Sequence, residues 1–386
     1  MRALILESGA SRGCLAAARS LSRAGWEVGI GHPPGHSLAA ASRAVLDRTE
    51  LPQLDDGLLL YLAAVDEVLR DGRYDLVCGA SDAEALALAF GVERLRANVL
   101  HPRLTVLLAA MDKVALSEAA RAAGLASPET VLAVTGREVA NWLRKGPVVV
   151  KPRWHWNPDR APGPLRIEAG IAKDTSEVDG LLRVIEKAGG QAVVQPHIQG
   201  RLVAYVALLD HDGDVVAHAQ QRAVHTWPEP VGVSARAVTE PVNAALAEAS
   251  IRLCRNLGVT GLMQLQFAVD EGGVHHVLDL NPRFYGSMQL AIAAGADLPR
   301  LWAEMAMGSL VKRAEPITAR PGVNYQWLEG DLRRSASQRD VRGFAGCLVH
   351  AGRAHHSIAC MRDPRPAVNH ALDLSHRASG RVRRSL

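Results

Sequence analysis

The chain has 386 residues, more than one ordinary hydrophobic core holds, so two or three domains are expected. Lysine and arginine number 44 against 40 acidic residues, and the resulting net charge of +4 does not argue for nucleic acid as a partner. The five cysteines are scattered, no CxxC pair occurs, and no apolar run reaches membrane-spanning length; these features argue against a disulfide framework, a thiolate zinc site or a membrane span, and for a cytoplasmic setting.

Arg2–Leu6 is an apolar strand that opens the chain without the charged and apolar regions of a signal peptide. The Gly-rich loop Glu7–Gly13, a helix over 14–24 stopped by Gly25, and the strand Trp26–Ile30 make a βαβ opening. A helix over 57–71 precedes the strand Asp75–Cys78, which ends in Gly79-Ala-Ser81-Asp82-Ala-Glu84. In open α/β sheets that edge binds ligands. These elements predict a first, doubly wound α/β domain over 1–105.

Residues 106–195 read as a linker helix and a small α/β unit. The helix carries Met111-Asp112-Lys113 near its start and ends near Gly124, before the break at Ser127-Pro128. Strands near 130–134, 147–151, 166–172 and 192–195 alternate with helices over 136–145 and 176–188. Four prolines and two tryptophans in 152–164 argue against a flexible spacer. Beyond Pro196 the pattern turns antiparallel, with Leu202–Leu209 and Val215–Gln221 flanking the turn Asp210-His-Asp-Gly213. A helix over 241–257 leads into a hairpin, Met263–Asp270 and Val274–Asn281, joined at Glu271-Gly-Gly273. A helix over 287–294 follows. The antiparallel unit is expected over 196–310, and 311–386 as a C-terminal extension with a solvated basic tail.

The hairpin carries the most chemistry. Asp279 and Asn281, two apart, share one face of a strand, and Arg283 continues that face past Pro282. An anionic oxygen, a neutral oxygen and a fixed cation suit Mg²⁺ bridging nucleotide phosphates, and Gln266 on the partner strand adds another oxygen. Two of only six lysines stand upstream: Lys113 near a helix N-terminus and Lys151 at the end of a valine strand. Both suit phosphate. Gln195-Pro-His197-Ile198 ends a strand where backbone groups and an apolar face suit an adenine. Arg222 closes an antiparallel strand and is placed to reach a transferring phosphoryl group.

Competing chemistries are weaker. Gly9-Ala-Ser11-Arg-Gly13 matches the nucleophile elbow of α/β-hydrolases, but it follows the first strand rather than a later one. An anion- or substrate-binding loop at a helix N-terminus, or a plain tight turn, explains it better. No G-x-G-x-x-G, Gly-Lys dipeptide or HExxH occurs, which removes the dinucleotide fingerprint, the P-loop and the zincin site.

Taken in order, Asp112-Lys113, Val150-Lys151-Pro152, the Gln195–Gly200 crossover, Arg222, Gln266 and Asp279-Leu-Asn281-Pro-Arg283 resemble the ATP-grasp superfamily over roughly residues 1–310. The closest flavour is the carboxylate–amine ligases, and Gln266 is similar to the metal-site Gln of carbamoyl-phosphate synthase halves. The resemblance implies an α/β and α+β fold: an N-terminal doubly wound domain, a small α/β lid and an antiparallel-sheet ATP-grasp domain. It implies that Lys113 and Lys151 bind ATP phosphates and that Gln195, His197 and Ile198 frame the adenine. Gln266, Asp279 and Asn281 would hold Mg²⁺ or Mn²⁺, and Arg283 with Arg222 would steady the γ-phosphoryl group. Acceptor contacts are expected from Ser11, Ser81, Asp82, Glu84, Tyr285 and Ser287. The partners implied are a small carboxylate and a small amine, probed as amino acids, with no nucleic acid or membrane and with a homodimer common in such ligases. Two features depart from the family: a non-glycine loop Arg153–Gly163, and Arg201-Leu202 where a ribose-binding Glu is expected. Alternatives are a carboxyl-phosphorylating enzyme with a non-amine acceptor and a catalytically degenerate nucleotide-binding protein.

Overall fold

Four consecutive residues, Ala3 to Leu6, are fully buried in β1 (Arg2–Leu6), as in a parallel sheet covered on both faces. The computed structural model describes residues 1–384 apart from 36, 158–162, 165–166, 230–231 and 312. After β1 come α1 (Arg12–Arg23), β2 (Glu27–His32), β3 (Val45–Glu50), α2 (Leu58–Leu69), β4 (Leu76–Gly79), α3 (Asp82–Gly91) and β5 (Asn98–Val99). The strands form a parallel sheet in the order β3-β2-β1-β4-β5. One face packs on α1 and the other on α2 and α3. Ser11 caps α1, its hydroxyl accepting from Cys14 N at 3.1 Å.

The linker helix is in fact two, α4 (Leu104–Met111) and α5 (Lys113–Ala122). Asp112 leaves the helical region between them, and its carboxylate accepts from Val114 N at 2.9 Å, capping α5. The small unit runs β6 (Val131–Leu132), α6 (Ala140–Leu143), β7 (Val148–Pro152), β8 (Trp156–Asn157), β9 (Gly163–Pro164), β10 (Gly170–Ala172), α7 (Thr175–Lys187) and β11 (Ala192–Pro196). Its antiparallel sheet has the order β10-β7-β11-β6. Val148 and Val150 of β7 point into a core with α7, so Val149 and Lys151 face the other way. Residues 158–162, within the non-glycine loop Arg153–Gly163 that departs from the family pattern, lie outside the described residues.

The third unit is built on β12 (Arg201–Leu209), β13 (Val215–Trp227), β14 (Val233–Glu240), α8 (Ala244–Leu257), β15 (Gly261–Val269), β16 (His275–Asn281), α9 (Met288–Ala293) and α10 (Leu298–Ala306). Central strand β12 is buried from Val203 to Leu209. Ala204, Val206 and Leu208 join the core around α1, α9 and α10, while Tyr205, Ala207 and Leu209 join the one around α5 and α8. The N-terminal sheet thus packs through α1 onto α9 and α10, which cover this larger sheet.

The segment set apart at 311–386 is not an appendage. It supplies β17 (Ile317–Thr318), β18 (Asn324–Gln326), α11 (Leu328–Ser337), α12 (Val341–Ala351), β19 (His355–His356) and α13 (Arg365–Arg384). β17 pairs with β13, β18 with β14 and β19 with β18, completing an eight-stranded sheet, β16-β15-β12-β13-β14-β18-β19 with β17 at its side. Asp363 then accepts from Arg19 Nε at 2.8 Å, a buried pair that ties this segment to α1. Among the described residues no helix is long and apolar enough to cross a membrane.

Candidate functional site

The β15–β16 hairpin sets the centre of the site through its register. Gln266 stands opposite Asp279 and Gln264 opposite Asn281, so all four side chains share one face. One extra residue, Leu278, bulges between the Val277 and Asp279 pairings. Its carbonyl accepts from Lys151 Nζ at 3.2 Å. The bulge therefore presents a backbone oxygen to the lysine on the lid-side strand β7.

Lys113, at the first turn of α5, comes from a third direction. It is 4% exposed, and its ammonium lies 2.6 Å from Asp279 Oδ1. Arg153 locks the two lysine-bearing elements together by donating to both Asp112 oxygens, Nε at 2.9 Å to Oδ1 and Nη2 at 2.6 Å to Oδ2. Lys113 N also donates to Arg153 O at 3.2 Å. Asp112 thus caps a helix and anchors the strand beside it.

Electrostatics follow from this crowding. Burial would raise the Asp279 pKa, but the ammonium groups of Lys113 and Lys151 hold it well below the usual carboxylate range. Burial pulls Lys151 down to about 8; the nearby Lys113 charge adds to this and Asp279 opposes it. Arg283 lies beside them with Asp82, donating from Nη2 to Asp82 Oδ2 at 3.0 Å and to Asn281 Oδ1 at 3.0 Å, and from Nε to Asp82 Oδ1. Asp82 is buried, which works against ionisation, yet Arg283 keeps its pKa low. His155 projects from the lid toward the same groups, and burial and Lys113 lower its pKa.

Two cavities meet here. One, about 330 Å³, is lined by Lys113, Gln264, Gln266, Asp279, Asn281 and Arg283, with Asp82, His155, Tyr285 and Ser287. The other, about 440 Å³, is lined by Lys151, Gln195, His197, Ile198, Arg201 and Leu202. Asp279 and Leu202 border both. Gln195 is buried and donates from Nε2 to Thr130 Oγ1 at 2.7 Å. Burial lowers the His197 pKa.

Several expected residues stand elsewhere. Arg222 points away from the cleft: its neighbours Gln221 and Ala223 line the first cavity, so residue 222 faces the other side of β13, where its Nε lies 2.7 Å from Glu240 Oε1. Ser11 is taken up by capping α1. Ser81 and Glu84 close a capping box on α3, and Glu84 is 1% exposed. None of these three lines either cavity, whereas Asp82, Tyr285 and Ser287 line the first. The structure adds Gln264, Gln221, Arg12, His155 and Glu168 to the wall of that cavity. Gln264 was accessible from strand alternation, two residues before Gln266; Arg12 lies in the loop read as anion- or substrate-binding at a helix N-terminus, although Ser11 was the residue singled out there; His155 carried no comparable signal.

As metal donors the hairpin offers one carboxylate and carboxamide oxygens. Among the described residues no group of three or more His, Cys, Asp or Glu gathers around a point. Such a set does not form an all-protein cage. It fits a Mg²⁺ carried in by phosphate oxygens, which needs only one or two carboxylates and retains waters.

A family model described as ATP-grasp in the biosynthetic pathway with Ter operon matches residues 213–331. The carbamoyl phosphate synthase large chain, N-terminal section, of Methanopyrus kandleri is 30% identical over 152 residues, covering 36% of this chain and 26% of that protein. The carbamoyl phosphate synthase large chain of Caldanaerobacter subterraneus subsp. tengcongensis is 29% identical over 141 residues, 35% of this chain and 13% of that one. The chain therefore spans about a quarter or less of the length of these curated relatives. Among solved structures, N5-carboxyaminoimidazole synthetase from Staphylococcus aureus superposes with a TM-score of 0.62 at 12% identity, covering 83% of this chain and 80% of that one. L-amino acid ligase from Bacillus licheniformis gives 0.59 at 16% identity, with 80% and 74% covered. These superpositions establish a shared fold.

Proposed function

We propose that the chain is an ATP-grasp enzyme, an ATP-dependent carboxylate–amine ligase working through an acyl phosphate; the family-model match over 213–331, the partial similarity to carbamoyl phosphate synthase and the shared fold support this reading. The observation that carries this reading is the junction at Asp279. An adenine-sized cavity and a polar cavity share that carboxylate, and two ammonium groups from separate elements converge on it.

In this reading the adenine lies against Ile198 between Gln195 and His197. The triphosphate passes Lys151 and Lys113 toward the polar cavity. With nucleotide present, Lys113 exchanges part of its contact with Asp279 for phosphate oxygens. Asp279, Gln266 and Asn281 would hold a Mg²⁺ accompanying ATP, and the ion would supply charge neutralisation at the phosphates. A substrate carboxylate attacks the γ-phosphorus, ADP leaves, and Arg283 offsets charge on the transferring group. Its fork to Asp82 and Asn281 orients that guanidinium beforehand. An amine then attacks the acyl carbon and inorganic phosphate departs. The lid strand bearing Lys151 and the His155 loop keep water from the acyl phosphate.

The test is ADP release with pools of amino acids, with products read by mass spectrometry. Wild type is expected to release ADP with at least one pool and to form an amide. Asp279→Asn is expected to lose at least about a hundredfold in rate while remaining folded by circular dichroism. Silence with every pool would favour a nucleotide-binding protein without ligase activity. A phosphorylated carboxylate or ester product would favour the non-amine alternative.

A further inference from the structure

Resting on the ligase reading, we propose that the amine substrate is itself an amino acid, and that Arg12 takes its carboxylate, so that the product is a dipeptide. The cavity beside Asp279 contains two arginines and one lysine. Arg283 is paired with Asp82 and Lys113 with Asp279. Among the described residues Arg12 has no carboxylate partner, although it borders the same cavity.

Its guanidinium is nonetheless fixed on three sides. Nη1 donates to Tyr325 Oη at 3.1 Å, and Cζ lies 4.0 Å from the centre of the Trp327 ring. Gly286 backs it so closely that a Cβ there would stand 2.9 Å from Nη2. Tyr325 in turn donates to Gly286 O at 2.9 Å. A guanidinium held this way, with donors to spare, is built to receive a planar anion in a set orientation. Arg12 also occupies the first turn of α1, where the helix end favours negative charge.

Two further groups complete the match. Tyr285 and Gln221 line the same cavity, and among the described residues Tyr285 Oη and Gln221 Oε1 are buried without a hydrogen-bond partner. Gln221 spends its Nε2 on Ser287 Oγ at 2.6 Å, which leaves an acceptor. Buried polar groups without partners cost stability unless a ligand satisfies them. A cation and a hydroxyl donor suit a carboxylate, and a carboxamide oxygen suits an amine hydrogen. An amino acid carries both groups on one molecule. The adenine-side cavity does not include Arg12, so nucleotide phosphates running past Lys151 have another address.

The chemistry balances without any added reactant. The amine nitrogen's lone pair forms a bond to the acyl carbon, and the bond from that carbon to the phosphate oxygen breaks. Phosphate leaves with the electron pair and the nitrogen loses a proton. The acceptor's own carboxylate takes no part and stays on Arg12.

The experiment compares amino acids with their carboxamides as acceptors, using ADP release and mass spectrometry on wild type, Arg12→Gln and Tyr325→Phe. Wild type is expected to prefer the acid by about ten- to a hundredfold in kcat/KM, the span for hydrogen bonds to a charged group. Arg12→Gln is expected to lose that preference through KM for the acceptor, with KM for ATP unmoved. Tyr325→Phe, which only loosens the guanidinium, is expected to lose part of it and stands in should the first variant not fold. Equal use of acids and amides by wild type, or a preference kept in both variants, overturns the proposal while leaving the ligase reading intact. Failure of wild type to release ADP with any pair overturns both.

Discussion

Glu7 offers a sharp test of how the first sheet is held. It follows β1 at the ligand edge and is 2% exposed. Ser37 donates to Oε1, as does Ala39 N at 3.3 Å, and Ser11 N reaches Oε2 at 3.3 Å. Burial dominates these contacts and lifts its pKa from 4.5 to about 8, with the Glu84 charge adding to the rise. A folded-state pKa above the unfolded one means that the native protein binds the extra proton. The contribution is therefore complete below pH 4.5 and is lost as pH climbs through about 8. Integrated between pH 5 and pH 8, the loss amounts to about 3 kcal/mol. The perturbation is Glu7→Gln, which keeps the shape and removes the charge. The assay is urea unfolding of both proteins across that range. Wild type is expected to weaken relative to the variant by about that amount, and Asp279 and Asp331, whose pKa values are depressed, do not titrate in the window. Parallel stability curves for the two proteins would refute the argument that Glu7 is protonated in the fold.

Three further outcomes follow from the geometry. Arg222→Ala removes an ion pair with Glu240 outside the cleft, so kcat/KM is expected to stay within about threefold and stability within about 1 kcal/mol; a hundredfold drop in steady-state rate would restore Arg222 to the site. Lys151→Ala should weaken equilibrium binding of a nonhydrolysable ATP analogue by about tenfold or more, and an unchanged affinity removes this lysine from the phosphate path. Gly13→Ala brings a Cβ to 2.8 Å from Tyr285 O, a backbone atom that cannot swing aside, and should cost about 1–3 kcal/mol in thermal melts; an unshifted midpoint would show that α1 does not press on this loop.

Much of this architecture was legible in the chain because its strands are either continuous apolar runs or alternating runs closed by glycine turns. The βαβ opening, the valine strand before Lys151 and the β15–β16 hairpin are of that kind. β3 was not legible: Val45-Leu-Asp-Arg-Thr-Glu50 is polar at most positions and lies at a sheet edge. β17, β18 and β19 are two or three residues long, too short for any period, and exist only because the larger sheet offers them pairing partners. The misplacement of Arg222 has a simple cause. Alternation says that Gln221 and Arg222 face opposite ways, but only the covering elements decide which way is inward. Ser11, Ser81 and Glu84 were read as ligand groups at helix starts, where the same residue types serve as caps.

The cradle around Arg12 has a consequence for how the protein is made. The arginine and the tyrosine that aims it are 313 residues apart. During synthesis Lys113, Lys151 and the β15–β16 hairpin emerge before Tyr325, so the Arg12 guanidinium has no tyrosine to fix it until β18 pairs with β14. Any variant shortened before residue 324 inherits that half-finished state, however well its remaining strands pair.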